Sequence, residues 1–310
     1  MYGQFLVIFA LMLTGYGLRK AGVVNDEINR GLNKFIVYCS LPCFIFYKVA
    51  GIEMNGALLK EFMLAFALST AVFLIFGLLV FAYFKLRRFP KEDACSAELV
   101  TVFPNNAFMG FPITNIFFGD IGLLFMLANN TAMNLTLFSY GVFVLRRNDA
   151  IKKFSLKNLT KCFLNPNILA LAAGLLFYLL RIHVPDTANT YFAYLGGICT
   201  PMSLIFIGST LVGTNIFSAV RDRLVLESVI SKSLVSPLLT YVILGFLPLP
   251  AMMKAMIVFG ACFPSAAMAS VLVETEGKNS LLACEILAFS TAVSIVSIPI
   301  FVKLVNLIIL

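Results

Sequence analysis

Residues 102–112 read VFPNNAFMGFP, an apolar stretch that contains two prolines, one glycine and a pair of asparagines. Proline lacks an amide hydrogen and its ring clashes with the preceding helical turn, so Pro104 and Pro112 are incompatible with one regular helix. The residues on both sides are strongly apolar, which predicts that the interruption lies at membrane depth. Broken backbone survives there only where protein or a watery cavity satisfies its hydrogen bonds.

A matching interruption follows about 160 residues later, where residues 259–265 read FGACFPS and Phe263-Pro264 repeats Phe103-Pro104. Interrupted spans at equivalent places in two halves of a chain are typical of secondary transporters. The alternative for either proline alone is an ordinary kink. Other matches near this offset are Ala107 with Ala267, Ala128 with Ala288, Thr131 with Thr291, Ala132 with Ala292, and Cys39-Ser40 with Cys199-Thr200.

The composition is that of an all-α integral membrane protein. Of the 310 residues, 60% are hydrophobic and 12% are charged, and the mean hydropathy is +0.96. A soluble domain of this size needs more charge to cover its surface, whereas apolar runs of roughly 20 residues, the length that crosses a bilayer, recur here. The ten predicted spans are Gln4–Leu18, Phe35–Ile52, Phe62–Phe84, Ala94–Phe118, Ile121–Leu145, Pro166–Val184, Tyr191–Val212, Leu224–Leu247, Ala251–Val273 and Leu281–Leu310.

Ten spans and the internal repeat divide the chain into two five-helix halves. We predict a first repeat over residues 1–146, a basic cytoplasmic linker over 147–161 and a second repeat over 162–310. Because five is an odd number, the second half enters the membrane from the opposite side, so the repeats are inverted. Inverted repeats place a binding site near the bilayer midplane, where the two halves meet.

The net charge of +8 predicts an orientation in the cell membrane. Most of the 23 Lys and Arg residues lie in loops on one side, which is therefore cytoplasmic, and both termini are expected outside. Basic loops of this kind contact anionic lipid, and no basic patch interleaved with aromatics indicates nucleic-acid binding. The cysteine spacing indicates no metal site, and no cofactor is expected. The exceptions to the charge bias are Lys48, Lys60, Arg181, Lys254, Lys303 and the intramembrane Lys232.

Polar residues beside the breaks are the candidate substrate-binding residues. Asn105 and Asn106 follow the first break and Ser265 follows the second; amides donate hydrogen bonds without a permanent charge, and half-helix amino termini add positive potential. This chemistry suits a carboxylate that binds and then leaves. Asn130 and Asn134, one turn apart in the fifth span, either line the site or bond a neighbouring helix. The candidate set is Pro104, Asn105, Asn106, Gly110, Asn130, Asn134, Pro264 and Ser265.

Two charged residues are candidates for coupling transport to a proton or sodium ion. Lys232 lies roughly 12 Å along the eighth span at 1.5 Å per residue. A charge at that depth is costly and usually functional, either as a coupling group or as a stand-in for a bound cation. The alternative is a lysine that reaches the interface. Glu285 lies about one turn into the tenth span, where it either couples or simply reaches water.

These motifs resemble those of the auxin efflux carrier family, which includes bacterial transporters proposed to move malate or malonate. The resemblance covers nearly the whole chain, and it implies a fold like that of sodium/proton antiporters and bile acid/sodium symporters. The residues that carry it are Pro104-Asn105-Asn106, Met109-Gly110-x-Pro112 and Gly119 in the fourth span, Phe263-Pro264, Ser290-Thr291 and Pro299 in the last two spans, and Gly15-x-Gly17 and Leu41-Pro42 in the first two.

The resemblance implies that spans 4 and 9 are broken and cross each other, and that the protein is a homodimer with an elevator-type motion. Spans 1, 2, 6 and 7 would form the scaffold, and spans 3–5 and 8–10 the transport domain. In plant members the asparagine after the fourth-span proline contacts the substrate carboxylate, which corresponds to Asn105. Two departures are the absence of the long central loop of many auxin exporters, which argues against auxin, and the absence of an acidic residue in Phe62–Phe84.

The sequence therefore predicts a secondary transporter that carries a small organic anion by alternating access and has no catalytic residues. Two alternatives are a membrane sensor with a transporter-like fold and an intramembrane enzyme. The enzyme is the weaker of them, because the chain has one histidine and no H-E-x-x-H pair, and Asp120 at a loop edge is its sole candidate catalytic aspartate.

Overall fold

The computed structural model describes residues 2–52, 55–147, 164–180, 182–212 and 220–308, and within these ranges the regular structure is helical. The predicted linker lies outside the described residues except for Arg147. The first half contains α1 (Tyr2–Lys20), α2 (Asp26–Phe35), α3 (Leu41–Ala50), α4 (Gly56–Leu86), α5 (Lys91–Val102), α6 (Phe111–Thr136) and α7 (Val142–Arg146). The second half contains α8 (Pro166–Leu179), α9 (Asp186–Gly197), α10 (Cys199–Thr210), α11 (Arg223–Ile230), α12 (Ser236–Gly245), α13 (Ala251–Cys262), α14 (Ala267–Thr275) and α15 (Ser280–Ile308).

Several of these helices are joined end to end by π-helical turns, which the sequence did not predict. Turns of this kind inside helices are frequent at functional sites. One of them directly follows the first proline break, and another carries Lys232. The turns are Ile36–Ser40 between α2 and α3, Asn106–Gly110 before α6, Leu137–Gly141 between α6 and α7, and Ser231–Val235 between α11 and α12.

Six continuous helical stretches among the described residues are long and apolar enough to cross a bilayer. The shorter α8 and α13 are also apolar, while the number ten and the opposed orientation of the halves stay predictions. The first of these stretches corresponds to the predicted second span, but it starts at Asp26 and not at Phe35. Its first turns are polar, and the Asn25 side chain caps them by accepting from the Ile28 amide at 2.9 Å. The six stretches are Asp26–Ala50, Gly56–Leu86, Asn106–Arg146, Asp186–Thr210, Arg223–Gly245 and Ser280–Leu307.

The two halves interlock through their first helices. Helix α1 packs against α10, and α8 packs in the same way against α3. The α1–α10 crossing is a contact between backbones: a Cβ on Gly15 would lie 1.9 Å from the carbonyl oxygen of Ile205, and a Cβ on Gly208 would lie 1.8 Å from that of Met12. Since neither distance is sterically possible, the crossing requires glycine at both positions.

We expect Gly15→Ala to destabilise the protein because its methyl group can be accommodated only if α1 and α10 separate. Overpacking of this kind costs about 1–3 kcal/mol. Gly17→Ala, on the same helix, is the matched control, since a Cβ there meets no atom within 4 Å. The apparent melting temperature in detergent should fall for Gly15→Ala and stay close to wild type for Gly17→Ala. Equal melting temperatures would contradict the close crossing.

The helices that carry the two breaks lie in the interior. Helix α5 contacts α4, α11, α14 and α15, and α13 contacts α6, α12 and α15. Phe103 and Phe263, which precede the two prolines, are fully buried, and the Phe263 ring packs edge-on against that of Phe259 with centroids 4.7 Å apart. Packing on all sides therefore holds the breaks in place, away from the outer surface of the helix bundle.

Candidate functional site

Both interruptions predicted from the prolines are present. Helix α5 ends at Val102, and the chain then runs extended through Phe103 and Pro104 before the helical conformation resumes at Asn106. Helix α13 ends at Cys262, and α14 starts at Ala267. In each case the prolines supply the physical cause, because they cannot donate the amide hydrogen bond that a continuing helix requires.

The two extended segments pair with each other. Pro104 and Ser265 form an antiparallel bridge, in which the Asn105 amide donates to the Pro264 carbonyl at 2.7 Å and the Ala266 amide donates to the Phe103 carbonyl at 2.9 Å. Buried backbone groups must be paired, and each break supplies the partners that the other one lacks. The two half-helix pairs therefore meet at one crossover, which holds residues from both halves at a fixed spacing.

Asn105 caps the amino terminus of the helical segment that follows the first break. Its side-chain oxygen accepts from the Phe108 amide at 3.3 Å, and its backbone oxygen accepts from the amides of Met109 and Gly110 at 3.3 and 3.2 Å. This is the usual role of an asparagine cap. The amide nitrogen of the side chain is not used by the cap, so Asn105 retains a donor group at the crossover.

The start of α14 has no such cap. Ala266 occupies the capping position and offers no side-chain hydrogen bond to the first turn. The first amides of a helix have no partner within the helix, and together with the helix dipole they favour an anion. Ala267 and Met268, the first residues of α14, line a cavity at the crossover. An anion in this cavity can therefore take the place of the missing cap.

This cavity has a volume of about 50 Å³. On the same measure one water molecule needs about 10–15 Å³, so the space matches a few waters or one carboxylate group. Among the described residues no charged side chain lines it, and six asparagines from both halves of the chain form its polar wall. The polar lining residues are Asn105, Asn106, Asn130, Asn134, Asn165 and Asn167, and the others are Val37, Leu41, Pro104, Ala107, Phe108, Met133, Ala266, Ala267 and Met268.

Asn130 and Asn134 lie on one face of α6, as their spacing predicted, and both line the cavity. The Asn134 side-chain nitrogen donates to the Asn130 carbonyl at 3.0 Å, and the Asn130 side-chain oxygen is buried without a hydrogen-bond partner among the described residues. Both side chains are nearly fully buried. Unpartnered buried amide oxygens are costly, which makes them candidate contacts for a polar ligand or for water in the cavity.

Asn165 and Asn167 also lie at this cavity, and our sequence analysis missed both. Asn165 caps α8 by accepting from the Asn167 amide at 2.9 Å, while the Asn167 side-chain oxygen has no partner among the described residues. The run Asn165-Pro166-Asn167 at the start of an apolar helix could have revealed them. One polar residue is common there as a helix cap, but capping does not require a second asparagine.

Asn106 is engaged in a buried polar chain behind the cavity. Its side-chain nitrogen donates to the Asn129 side-chain oxygen at 2.7 Å, and the Asn129 nitrogen donates to the Ser69 hydroxyl at 3.0 Å. Gly260 on α13 makes room for this chain, since a Cβ there would lie 2.8 Å from the Asn129 oxygen. These contacts tie α4, α6 and the first break together and orient the Asn106 amide.

Three other candidate residues lie behind the cavity wall. The Pro264 carbonyl is occupied by the Asn105 amide, and the amide of the fully buried Ser265 donates to the Ser290 hydroxyl at 3.1 Å. Gly110 packs beside the Phe263 ring, and a Cβ on it would lie 3.4 Å from that ring, close to an ordinary contact. All three build the crossover without lining the cavity.

Lys232 is fully buried beside the crossover. It lies in the π turn between α11 and α12, and its ammonium nitrogen donates to the Val102 carbonyl at 3.4 Å. Val102 is the last residue of α5, and a cation at a helix carboxyl terminus offsets the negative end of the dipole. The alternative in which this side chain reaches the interface is therefore wrong, since no part of it is exposed.

Glu285 is separated from this arrangement. It lies near the start of α15 in a different pocket, of about 370 Å³, shared with Asp93, Asp222, Arg223 and Asn279. The structure therefore brings Lys232 to the crossover and does not bring Glu285 there. Among the described residues, no group of three or more His, Cys, Asp or Glu side chains could hold a metal ion.

Sequence comparison identifies a protein family and two relatives that match most of this chain. The family model described as "Membrane transport protein" matches residues 1–302. An uncharacterized transporter of Methanothermobacter thermautotrophicus is 24% identical over 296 residues, which cover 96% of this chain and 95% of the relative. An uncharacterized transporter of Methanocaldococcus jannaschii is 22% identical over 272 residues, 86% of each chain.

Proposed function

The chain belongs to the membrane transport protein family, the family of the auxin efflux carriers, and is a multi-pass membrane protein. We propose that it is a secondary transporter of a small organic anion, whose carboxylate binds at the crossover. The observation that carries the proposal is the uncapped start of α14 beside an uncharged cavity lined by asparagines. Helix amides and asparagine side chains donate to a carboxylate, and the absence of a fixed cation allows it to leave again.

The volume of the cavity matches a carboxylate group better than it matches a complete substrate molecule. A volume of about 50 Å³ accommodates one carboxylate but not a large aromatic acid unless the wall moves. A small mono- or dicarboxylate is therefore the substrate class that we favour, with one carboxylate at the crossover. The proposal also includes localisation in the cell membrane with both termini outside. It further includes ten spans in two inverted repeats, and a homodimer.

A thermal-shift screen of the purified protein in detergent tests this proposal. A ligand stabilises the state that it binds, by about 2.7 kcal/mol at a hundred times its dissociation constant. We expect one or more small mono- or dicarboxylates to raise the apparent melting temperature by several degrees. The control is the corresponding amide of each acid, which has the same shape without the charge and should have no effect. A screen in which no carboxylate differs from its amide would contradict the proposal.

We further propose an elevator-type alternating-access motion, in which the helices of the first two spans of each half are the scaffold. Helix α6 is interrupted by a kink at Gly119, whose φ angle is 64°. In this structure the chain around this kink contacts that scaffold. The Lys48 ammonium on α3 pairs with the Asp120 carboxylate at 2.7 Å, and the Gln4 side chain on α1 donates to the Ile116 carbonyl at 3.2 Å. By the predicted orientation these contacts are on the outer side and close it.

Asp120→Asn is therefore expected to favour opening on the outer side. An exposed ion pair contributes up to about 1 kcal/mol, so the open population should rise by up to about fivefold. The readout is the rate at which an impermeant maleimide, added from outside, labels Ala267→Cys in a cysteine-free background. Lys48→Gln should behave in the same way and Lys60→Gln, an exposed lysine outside this contact, should not. Unchanged labelling in both ion-pair variants would contradict the proposed closure.

A further inference from the structure

A basic pocket lies at the junction of α4 and α5, on the side predicted to be cytoplasmic. Its volume is about 520 Å³, far larger than the crossover cavity. Lys85 lies in the last turn of α4 and Arg88 in the turn that follows it. Lys91 is the first residue of α5, and Arg147 directly follows α7. The pocket's other lining residues are Phe81, Phe84, Phe89 and Ala94, so the described residues of its wall are four cations, three aromatic rings and one alanine, with no carboxylate among them.

Three of the four cations have no carboxylate within ion-pair distance among the described residues, namely Lys85, Arg88 and Lys91. The neighbouring Arg87, by contrast, pairs with Glu227. The fourth, Arg147, pairs with the buried Glu98 at 2.8 Å and lies 4.5 Å from the centre of the Phe81 ring, which fixes its position in the wall. The pocket therefore carries an excess of positive charge.

Arg88 adopts a backbone conformation that normally belongs to glycine. Its φ angle is 58°, and it is the sole non-glycine residue with a positive φ in the part of the chain that the structure describes. The turn ends α4 with two hydrogen bonds, from the Phe89 amide to the Phe84 carbonyl and from the Arg88 amide to the Lys85 carbonyl. The same turn after α14 has Gly277 at this position. An arginine here is unfavourable for the fold, so its presence requires another reason.

The surface next to the pocket is apolar. Leu78, Leu79, Tyr83 and Leu86 on the last turns of α4 are exposed, as expected for side chains that face lipid tails in a membrane protein. A ligand with a phosphate group in the pocket and acyl chains along α4 would match both surfaces. A soluble phosphate compound would use only the cations and not the adjoining apolar surface.

We propose that this pocket binds the phosphate headgroup of an anionic phospholipid, with its acyl chains lying along the carboxyl-terminal turns of α4. Lys85, Arg88 and Lys91 are the headgroup ligands, and Arg147 completes the wall. Phosphate binding by clustered Lys and Arg side chains near a membrane surface contributes about 1 kcal/mol per residue, which corresponds to about a fivefold change in affinity for each. The site is separate from the crossover cavity and does not depend on the transported substrate.

The test is a titration of the purified protein in neutral detergent with dioctanoyl phosphatidylglycerol, followed by the apparent melting temperature and by native mass spectrometry. The variant Lys85→Gln/Arg88→Gly removes two headgroup ligands, while glycine suits the backbone of the turn, so the unliganded protein should remain as stable as wild type. We expect the lipid concentration at half-maximal effect to rise by about tenfold or more. The matched control, Arg30→Gln/Lys34→Gln, removes two exposed cations from α2 on the same predicted side and should match wild type.

Three results would overturn the proposal. Equal losses in both double variants would indicate general surface charge. Equal stabilisation by dioctanoyl phosphatidylcholine would exclude recognition of an anionic headgroup. Stabilisation by glycerol 3-phosphate at the same concentrations as the lipid would assign the pocket to a soluble phosphate compound. Preferential binding of phosphatidylglycerol that only the pocket variant loses would support the lipid site.

Discussion

Asn105→Asp is expected to abolish anion binding and transport while the protein still folds. Aspartate caps a helix as well as asparagine does, so it can keep the hydrogen bond from the Phe108 amide. It also places a negative charge at the wall of the cavity. Two like charges about 4 Å apart repel each other by about 4 kcal/mol at an effective dielectric constant of 20, which corresponds to a loss of affinity of roughly a thousandfold.

Two further variants distinguish the effect of the added negative charge from the effect of the helix cap. Asn105→Ala removes both the donor and the cap; it should also abolish transport, and it should cost about 1 kcal/mol of stability. Asn55→Asp makes the same chemical change at the cap of α4, where the Asn55 oxygen accepts from the Leu58 amide at 2.8 Å, and should transport normally. Tighter binding of a cation by Asn105→Asp would show that the substrate is not an anion.

Lys232→Met is expected to lower the transport rate by about tenfold or more and to change its dependence on pH or sodium. The Lys232 ammonium lies at the carboxyl end of α5, and among the described residues it has no carboxylate within ion-pair distance. Its removal leaves the negative end of a broken helix uncompensated, an effect of up to about 2 kcal/mol. Methionine retains the apolar stem, so that packing is conserved.

The measurement is uptake into proteoliposomes over a series of pH values, with and without sodium. Lys60→Met, which removes an exposed lysine from the start of α4, is the control and should follow the wild-type curve. Monodispersity on size exclusion shows whether Lys232→Met is folded. If its pH and sodium profiles match those of wild type after scaling, Lys232 has a packing role and is not a coupling group.

The sequence predicted the features that depend on local chemistry. Pro104 and Pro264 interrupt their helices because a proline cannot donate to the preceding turn, and this rule needs no knowledge of the fold. Asn130 and Asn134 share a helix face for the same kind of reason, and the structure places both at the crossover cavity. Family membership, too, could be inferred from the residues around the two breaks.

Features that depend on distant contacts could not be predicted. The bridge between Pro104 and Ser265 joins residues from opposite halves of the chain, and the direction of the Asn106 side chain is set by Asn129 on another helix. Asn167 was missed because only the packing of α8 against the first half brings it to the cavity. Glu285 was a second coupling candidate, about one turn into its span, and helix packing places it in another pocket.

Counterflow in proteoliposomes is the decisive test of whether the anion binds at the crossover. Vesicles are loaded with the carboxylate that stabilises the protein most, and uptake of the labelled compound is followed with equal ion concentrations on both sides, so that no coupling ion needs to be known. We expect saturable uptake that requires the internal carboxylate, is retained by Asn55→Asp and is lost by Asn105→Asp. Uptake by Asn105→Asp at the wild-type rate would contradict binding of the anion at the crossover.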